Sequence, residues 1–533
     1  MVIRIYIIIS MAILLWTDRT CAKTIQYCVM LDAGSSGTTV IVYSWPERRT
    51  TSSIFNITEE FSQKIKPALS SFEDDLNSVP QYIRNITSIA ESNIPFYAQN
   101  KSHIYLFATA GLRFLKEEKA RNLMSSVRSV LSDKRNHKFK YSERSVRIIS
   151  GEEEGVFAWI TANYHNGFLA SNQSLSKGVG VLEMGGGSTQ ITFLPDGPLL
   201  AHMFTLRIAG RIYNLYSHSY LNFGMNYIHR RIDEYLIEHN PRETDIHNPC
   251  TLINDSYTYD AGDKTVTFRG SGSPTECFSI LSKFLKEAHD TCYPKPCAIG
   301  SIYQPSVGSD KFYAIAVYAY VTTDLNATDS SGRLDIDKLN KTAHIYCTKT
   351  IDYAVSVYKI RREFASRRCM MGLYITELLT FSYGFPVNTD RIYSTLKIKG
   401  KSLDWTFGAA LYENELMAEN YPCPPISSSI SAGVSQVKLK VTRDYLNRQL
   451  MGQEVRPKSN RGSRSSTPGL KLPPIYPSLR PKGFPVTTSQ QIGWKSARKE
   501  CQLEIYGRYG PGPKSRGQNG ILKLLKWPQE GSP

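Results

Sequence analysis

Two short stretches carry residue types suited to holding a polyanion. One is Asp32-Ala33-Gly34-Ser35-Ser36-Gly37-Thr38-Thr39, directly after the apolar run IQYCVML. The other is Glu183-Met184-Gly185-Gly186-Gly187-Ser188-Thr189-Gln190, after a second apolar run. In both, glycines permit tight turning and close approach of backbone amides to an oxyanion. Ser35, Ser36, Thr38 and Ser188 add hydroxyl donors, and Asp32 at the strand end is placed to hold a metal through water. Neither stretch is a P-loop, because no Gly-Lys-Ser/Thr follows the glycines. Either alone also reads as a plain turn between strands. Three consecutive glycines, however, cost backbone entropy that an ordinary turn seldom needs. Two such loops facing each other would clamp a di- or triphosphate from both sides.

Between them lie Thr109-Ala110-Gly111-Leu112-Arg113 and Gly151-Glu152-Glu153-Glu154-Gly155. Thr109 is placed to orient water or phosphate. Arg113 suits either phosphate charge or a structural carboxylate. A run of three glutamates is usually a solvated face, but this one is flanked by glycines and abuts the apolar VFAWI. One carboxylate is therefore expected to turn inward, where it would serve as the general base that water needs to attack phosphorus.

The elements that must position these groups follow from periodicity. Strands are predicted at 25–31, 40–43, 104–108, 146–149, 178–184 and 190–193, with a polar helical stretch over 61–96 and helical segments dominating 202–240 and 275–290. Strand, carboxylate, glycine turn, hydroxyls and returning strand occur twice, about 150 residues apart. This internal echo points to duplicated α/β lobes around a cleft.

The four motifs in this order, with DWTFGAAL at 404–411, resemble the apyrase-conserved regions of the GDA1/CD39 family of nucleoside triphosphate diphosphohydrolases. The resemblance covers about 25–423, and KIKPAL at 64–69 looks closer to the Golgi/lysosomal branch. It implies an α/β fold of two actin-like (ribonuclease H-like) lobes: 23–175 and 176–423, after a leader at 1–22 and before a tail at 424–533. By position it makes Glu154 the catalytic base, with Thr109 and Gln190 positioning the water. Asp32 and Glu183 would hold Ca²⁺ or Mg²⁺ through waters. Ser35, Ser36, Gly37, Thr38, Arg113, Gly185, Gly186, Gly187 and Ser188 would meet phosphate, and Tyr383 would stack on the base. Asp404 and Trp405 would lie near the metal side of the cleft. Glu183 stands where many relatives carry Asp. Gly187 replaces a usual Ala or Ser and is expected to loosen its turn. The implied disulfides are Cys250–Cys277, Cys292–Cys297 and Cys347–Cys369. Cys28, on a strand, reads as a buried thiol. The implied activity is metal-dependent hydrolysis of nucleoside di- or triphosphates, tipped toward UDP and GDP. The alternatives are an extracellular ATP/ADP apyrase and a non-catalytic nucleotide-binding protein.

Composition bounds the rest. With 41% hydrophobic residues in 533, the chain can bury a sizeable core. The net charge of +17 is carried mostly by the tail: from Pro424 onward 19 Lys and Arg face 5 Asp and Glu. The body is nearly neutral, so no nucleic-acid partner is expected. The tail reads as disordered. Residues 5–16 form an apolar run, long enough for a signal peptide or signal-anchor and short for a bilayer span. Sequons at Asn56, Asn85, Asn100, Asn172, Asn254, Asn326 and Asn340 fit a glycosylated lumenal surface. The expected location is the secretory lumen, at the Golgi membrane, with secretion as the alternative. Membrane association would run through the N-terminal segment or the basic tail.

Overall fold

The structure, a computed structural model, describes residues 25–47, 56–169, 178–208, 211–287, 289–308 and 310–418. The expected leader and tail, Asn172, Cys423 and Cys501 lie outside the described residues.

The first sheet contains β1 (Ile25–Gly34), β2 (Gly37–Pro46), β3 (Thr58–Ile65), β4 (His103–Ala108) and β5 (Val146–Ile148), in the order β3-β2-β1-β4-β5. β1, β2 and β3 run antiparallel in turn, while β4 and β5 lie parallel to β1. β1 is apolar on both faces because both are covered. Val29 and Leu31 pack in a core with helices α1 (Val79–Ser92) and α3 (Glu117–Ser132), while Cys28 and Met30 face the middle of the molecule. The short helix α2 (Ala110–Arg113) follows β4.

The second sheet contains β6 (Gly180–Met184), β7 (Ser188–Phe193), β8 (Met203–Ile208), β9 (Arg211–Leu221), β13 (Phe312–Ala316) and β14 (Ile392–Ser394), ordered β14-β13-β6-β7-β9-β8. A separate three-stranded sheet holds β10 (Asp245–Asn248), β11 (Ser256–Asp260) and β12 (Thr265–Gly270). Without β8, the order and directions β9-β7-β6-β13-β14 repeat those of β3-β2-β1-β4-β5. The echo seen in the two glycine motifs is thus a repeat of whole sheets.

Between the sheets lies α4 (Gly151–Asn166), buried nearly all round. Ser150 Oγ accepts from the Glu153 amide and the Glu153 carboxylate accepts from the Ser150 amide, a capping box. Close packing explains its glycines. A Cβ at Gly151 would come within 1.9 Å of Ser219 Oγ, and one at Gly155 within 2.5 Å of Thr192 Oγ1.

Two expectations are corrected. The stretch 61–96 begins as the edge strand β3, and only Val79–Ser92 is a long helix. β3 is charge-rich and exposed, so its pairing with β2, not an apolar pattern, sets its conformation. Likewise 202–240 opens with the β8–β9 hairpin, and helix α5 spans only Met225–His239. The last helix among the described residues, α6 (Trp405–Ala418), packs on α4 and returns to the first sheet, with Tyr43 Oη 2.9 Å from Thr406 Oγ1 and Arg147 bonded to Glu413. It serves both lobes.

Disulfides join Cys250 to Cys277, Cys292 to Cys297 and Cys347 to Cys369. Cys28 is a free, fully buried thiol, pushed up to about 12 by desolvation. Asn56, Asn85, Asn100, Asn254 and Asn326 are exposed, and Asn340 is half-buried. Among the described residues no helix is long and apolar enough to cross a membrane.

Candidate active site

The site gathers at strand ends. Because β4 runs parallel to β1, Thr109 leaves its strand beside the Asp32 loop, and its amide bonds the Ala33 carbonyl at 3.2 Å. Ile149 bonds the Ala108 carbonyl at 3.0 Å, which delivers Ser150 and the start of α4 to the same edge. In the second sheet Glu183 pairs across the strands with Gln190, as Asp32 pairs with Thr39. Directly opposite residues share a face, so each carboxylate has a polar partner on the returning strand.

The three glutamates divide their work. Glu152 lies 3.6 Å from His218 Nδ1, and Glu153 caps the helix and bonds Arg147 at 2.7 Å. Glu154 is buried and pairs with the Arg113 guanidinium, whose Nε also bonds the Ile149 carbonyl at 3.1 Å. Burial pushes Glu154 above the ordinary carboxylate range, partly opposed by Arg113. Asp32 is pushed well above it by desolvation and then by Asp404 and Glu154, and Glu183 by desolvation and then by Glu154, Asp404 and Asp32. Four carboxylates therefore crowd one cleft. Asp32 Oδ1 and Glu183 Oε2 are buried without a hydrogen-bond partner, as is Gln190 Oε1. Such atoms call for a ligand, since an unpaired buried acceptor costs about 1–3 kcal/mol. Among the described residues no three His, Cys, Asp or Glu side chains can chelate a metal directly. Two lone carboxylate oxygens, one per lobe, suit a cation reached through its waters.

The second glycine loop is held from behind. The Gly185 carbonyl accepts from Met225 N at 3.0 Å, that of Gly186 from Asn226 N at 2.9 Å, and that of Gly187 from Asn222 N at 3.0 Å. A trans peptide points its N–H opposite its carbonyl. The amides of Gly186, Gly187 and Ser188 therefore point away from those donors. The α5 N-terminus behind the loop adds positive potential. The two loops meet: a Cβ at Gly186 would lie 2.7 Å from both Ser35 Oγ and Asn226 Nδ2. A Cβ at Gly187 would lie 2.7 Å from Ala110 Cβ and 2.8 Å from Phe114 Cε2. Phe114 in turn stacks on Tyr227 with centroids 3.7 Å apart, joining the lobes at this point. Gly187 is thus a packing requirement rather than a loosened turn.

Two expected roles are corrected, and Arg113 is already partly engaged: its Nη2 pairs with Glu154 and its Nε bonds the Ile149 carbonyl. Thr38 is fully buried and accepts from Tyr82 Oη at 2.9 Å, so its hydroxyl braces the lobe. Tyr383 is 1% exposed within the second lobe's core, its carbonyl bonded by Gln304 at 3.1 Å, and offers no ring face to a base. Ser35, Ser36, Gly37, Gly185, Gly186, Gly187 and Ser188 make up the two loops. Asp404 acts on Asp32, Glu154 and Glu183, and Trp405 stacks near Phe157 of α4. Sequence reading missed Ser219, whose Oγ accepts from Gln190 Nε2 at 2.9 Å, and Asn226. Both lie outside any motif: strand pairing sets Ser219 opposite Gln190, and the start of α5 brings Asn226 to the Gly186 carbonyl.

Residues 18–427 match the family described as GDA1/CD39 (nucleoside phosphatase). The chain belongs to that family. It is a nucleoside phosphohydrolase of the apyrase type, built of two actin-like lobes. Among GDA1/CD39 relatives, it is 27% identical to human ectonucleoside triphosphate diphosphohydrolase 3, over 74% of this chain and 80% of that protein. It is 30% identical to mouse ectonucleoside triphosphate diphosphohydrolase 8, over 72% and 82%. It is 28% identical to the guanosine-diphosphatase of Saccharomyces cerevisiae, over 76% and 83%. The crystal structure of nucleoside triphosphate hydrolases from Neospora caninum shares the fold at a TM-score of 0.61 and 16% identity, covering 78% of this chain and 98% of that one. Residues 440–532 match a second family, described as Normal lung function maintenance, Low in Lung Cancer 1 protein.

Proposed function

We propose that this GDA1/CD39 enzyme hydrolyses the terminal phosphate of nucleoside di- and triphosphates with water deprotonated by Glu154 and with a divalent cation bound. The observation that supports this best is the convergence of Asp32, Glu154 and Glu183 beside two touching glycine loops. Glu154 enters α4 at the strand edge, held by Arg113, and its raised proton affinity suits a base. Gln190 donates through Nε2 to Ser188 Oγ at 2.8 Å and to Ser219 Oγ at 2.9 Å. Its unpartnered Oε1 is then left to accept from the attacking water, which Thr109 of the other lobe would help to position. Water oxygen bonds to phosphorus, the bridging P–O bond breaks, and the proton goes to Glu154. Amides of Gly186, Gly187 and Ser188 and the Ser35 hydroxyl receive the charge that moves onto phosphate oxygens. Asp32 and Glu183 would hold hydrated Ca²⁺ or Mg²⁺, which when bound offsets phosphate charge.

The reading includes a preference for UDP and GDP in the secretory lumen, at the Golgi membrane; the guanosine-diphosphatase relative supports its GDP part. The ectonucleoside relatives support the second reading, an extracellular ATP/ADP apyrase. The exposed sequons support N-glycans on either route. The test is phosphate release by the full glycosylated chain from UDP, GDP, ADP and ATP, each with Ca²⁺, Mg²⁺ or EDTA. Release in either metal and none in EDTA is expected, fastest from the diphosphates of uridine and guanosine. No release from any of them would leave a nucleotide-binding protein.

A further inference from the structure

The charge balance of the cleft leaves one requirement open. A nucleoside di- or triphosphate brings several negative charges to a place already holding Asp32, Glu154, Glu183 and Asp404. Arg113, the cation nearest the base, is paired with Glu154. A second cation comes from the edge strand β3, where register sets Lys64 opposite Thr39 of β2. Its ammonium donates to Ser36 Oγ at 2.8 Å, at the tip of the first loop. Its stem lies across the loop glycine: a Cβ at Gly37 would sit 3.0 Å from Lys64 Cε and 2.7 Å from the Ile65 carbonyl. Gly37, at φ +153°, therefore serves the lysine as well as the turn. Lys64 is also close enough to lower the proton affinity of Asp32.

We propose that Lys64 is a phosphate-binding residue, closing over the Ser35-Ser36-Gly37 loop to meet the phosphate chain of the nucleotide. Its partner in the structure is a neutral hydroxyl, so the ammonium charge is not cancelled in the contact and is available to a phosphate oxygen. Its stem is already seated, so little side-chain entropy is lost on binding. The inference rests on the nucleotide-hydrolase reading, but it concerns binding and can be read separately from turnover.

The experiment measures the affinity of UDP and UTP, in Mg²⁺, for the full chain and for Lys64→Met and Lys64→Arg, alongside phosphate release. Methionine keeps the stem and removes the charge. The expected result is affinity weakened on the order of tenfold in Lys64→Met, more for UTP than UDP, and largely restored in Lys64→Arg. The salt dependence of binding should flatten in Lys64→Met, which lost packing alone would not cause. Unchanged affinity and unchanged salt dependence in Lys64→Met would overturn the proposal, as would a wild-type chain that binds neither nucleotide. Weakened binding in a chain that never releases phosphate would support Lys64 and sink the hydrolytic reading instead.

Discussion

Arg113 and Glu154 form an ion pair buried where the first sheet meets the central helix, and the same guanidinium bonds the Ile149 carbonyl. Glu154 is thereby aimed by a group anchored to the strand end that precedes it.

Arg113 opposes the upward push of burial on Glu154. A base acts only when ionised, so a higher pKa moves the acid limb of the activity profile to higher pH. Arg113→Met should therefore lower kcat on the order of 10²-fold near neutrality and shift that limb upward. A pH profile of kcat/KM decides it: a uniform loss with an unmoved limb would mean that Arg113 is only structural.

Asp32, Glu154 and Glu183 all have raised proton affinity in the fold. Between the unfolded and folded pKa the native state binds more protons. Their contribution to stability is thus greatest at acid pH and is lost as pH rises through the folded values. A divalent cation should offset that loss. Thermal melts should show Ca²⁺ or Mg²⁺ raising Tm at neutral pH and losing this effect as the carboxylates protonate. An equal metal effect at pH 5 and pH 8 would count against the carboxylates as the site.

Gly187 has no room for a methyl group between Ala110 and Phe114. Gly187→Ala should destabilise by about 1–3 kcal/mol through overpacking. In a Phe114→Ala background the added cost should shrink, which a double-mutant cycle by chemical denaturation would show. Additive costs would place the strain elsewhere.

Much of this was legible in the residues. Carboxylate, glycine turn and returning strand, written twice, implied a repeated unit, and β1 through β5 recur as β6, β7, β9, β13 and β14. What was hidden depends on register and packing. β3 reads as helix because its charged residues carry no period-two apolar signal, and its pairing with β2 is what places Lys64 at the loop. Tyr383 is given a stacking role only by its position in the resemblance, which carries no information on burial, while the core of the second lobe encloses it. Thr38 and Thr39 are adjacent letters on opposite faces of β2, one bonded to Tyr82 and one across from Asp32. Gly187 appeared to be a loosened turn because its contacts, Ala110 and Phe114, lie in the other lobe.

The most direct test of the central claim is phosphate release from UDP and ATP in Mg²⁺ by the full chain and by Glu154→Gln, with nucleotide affinity measured on the same samples. The account predicts turnover lowered on the order of 10²–10⁴-fold with affinity nearly unchanged. Near-wild-type turnover in Glu154→Gln would contradict it, because the base would then have to be another group.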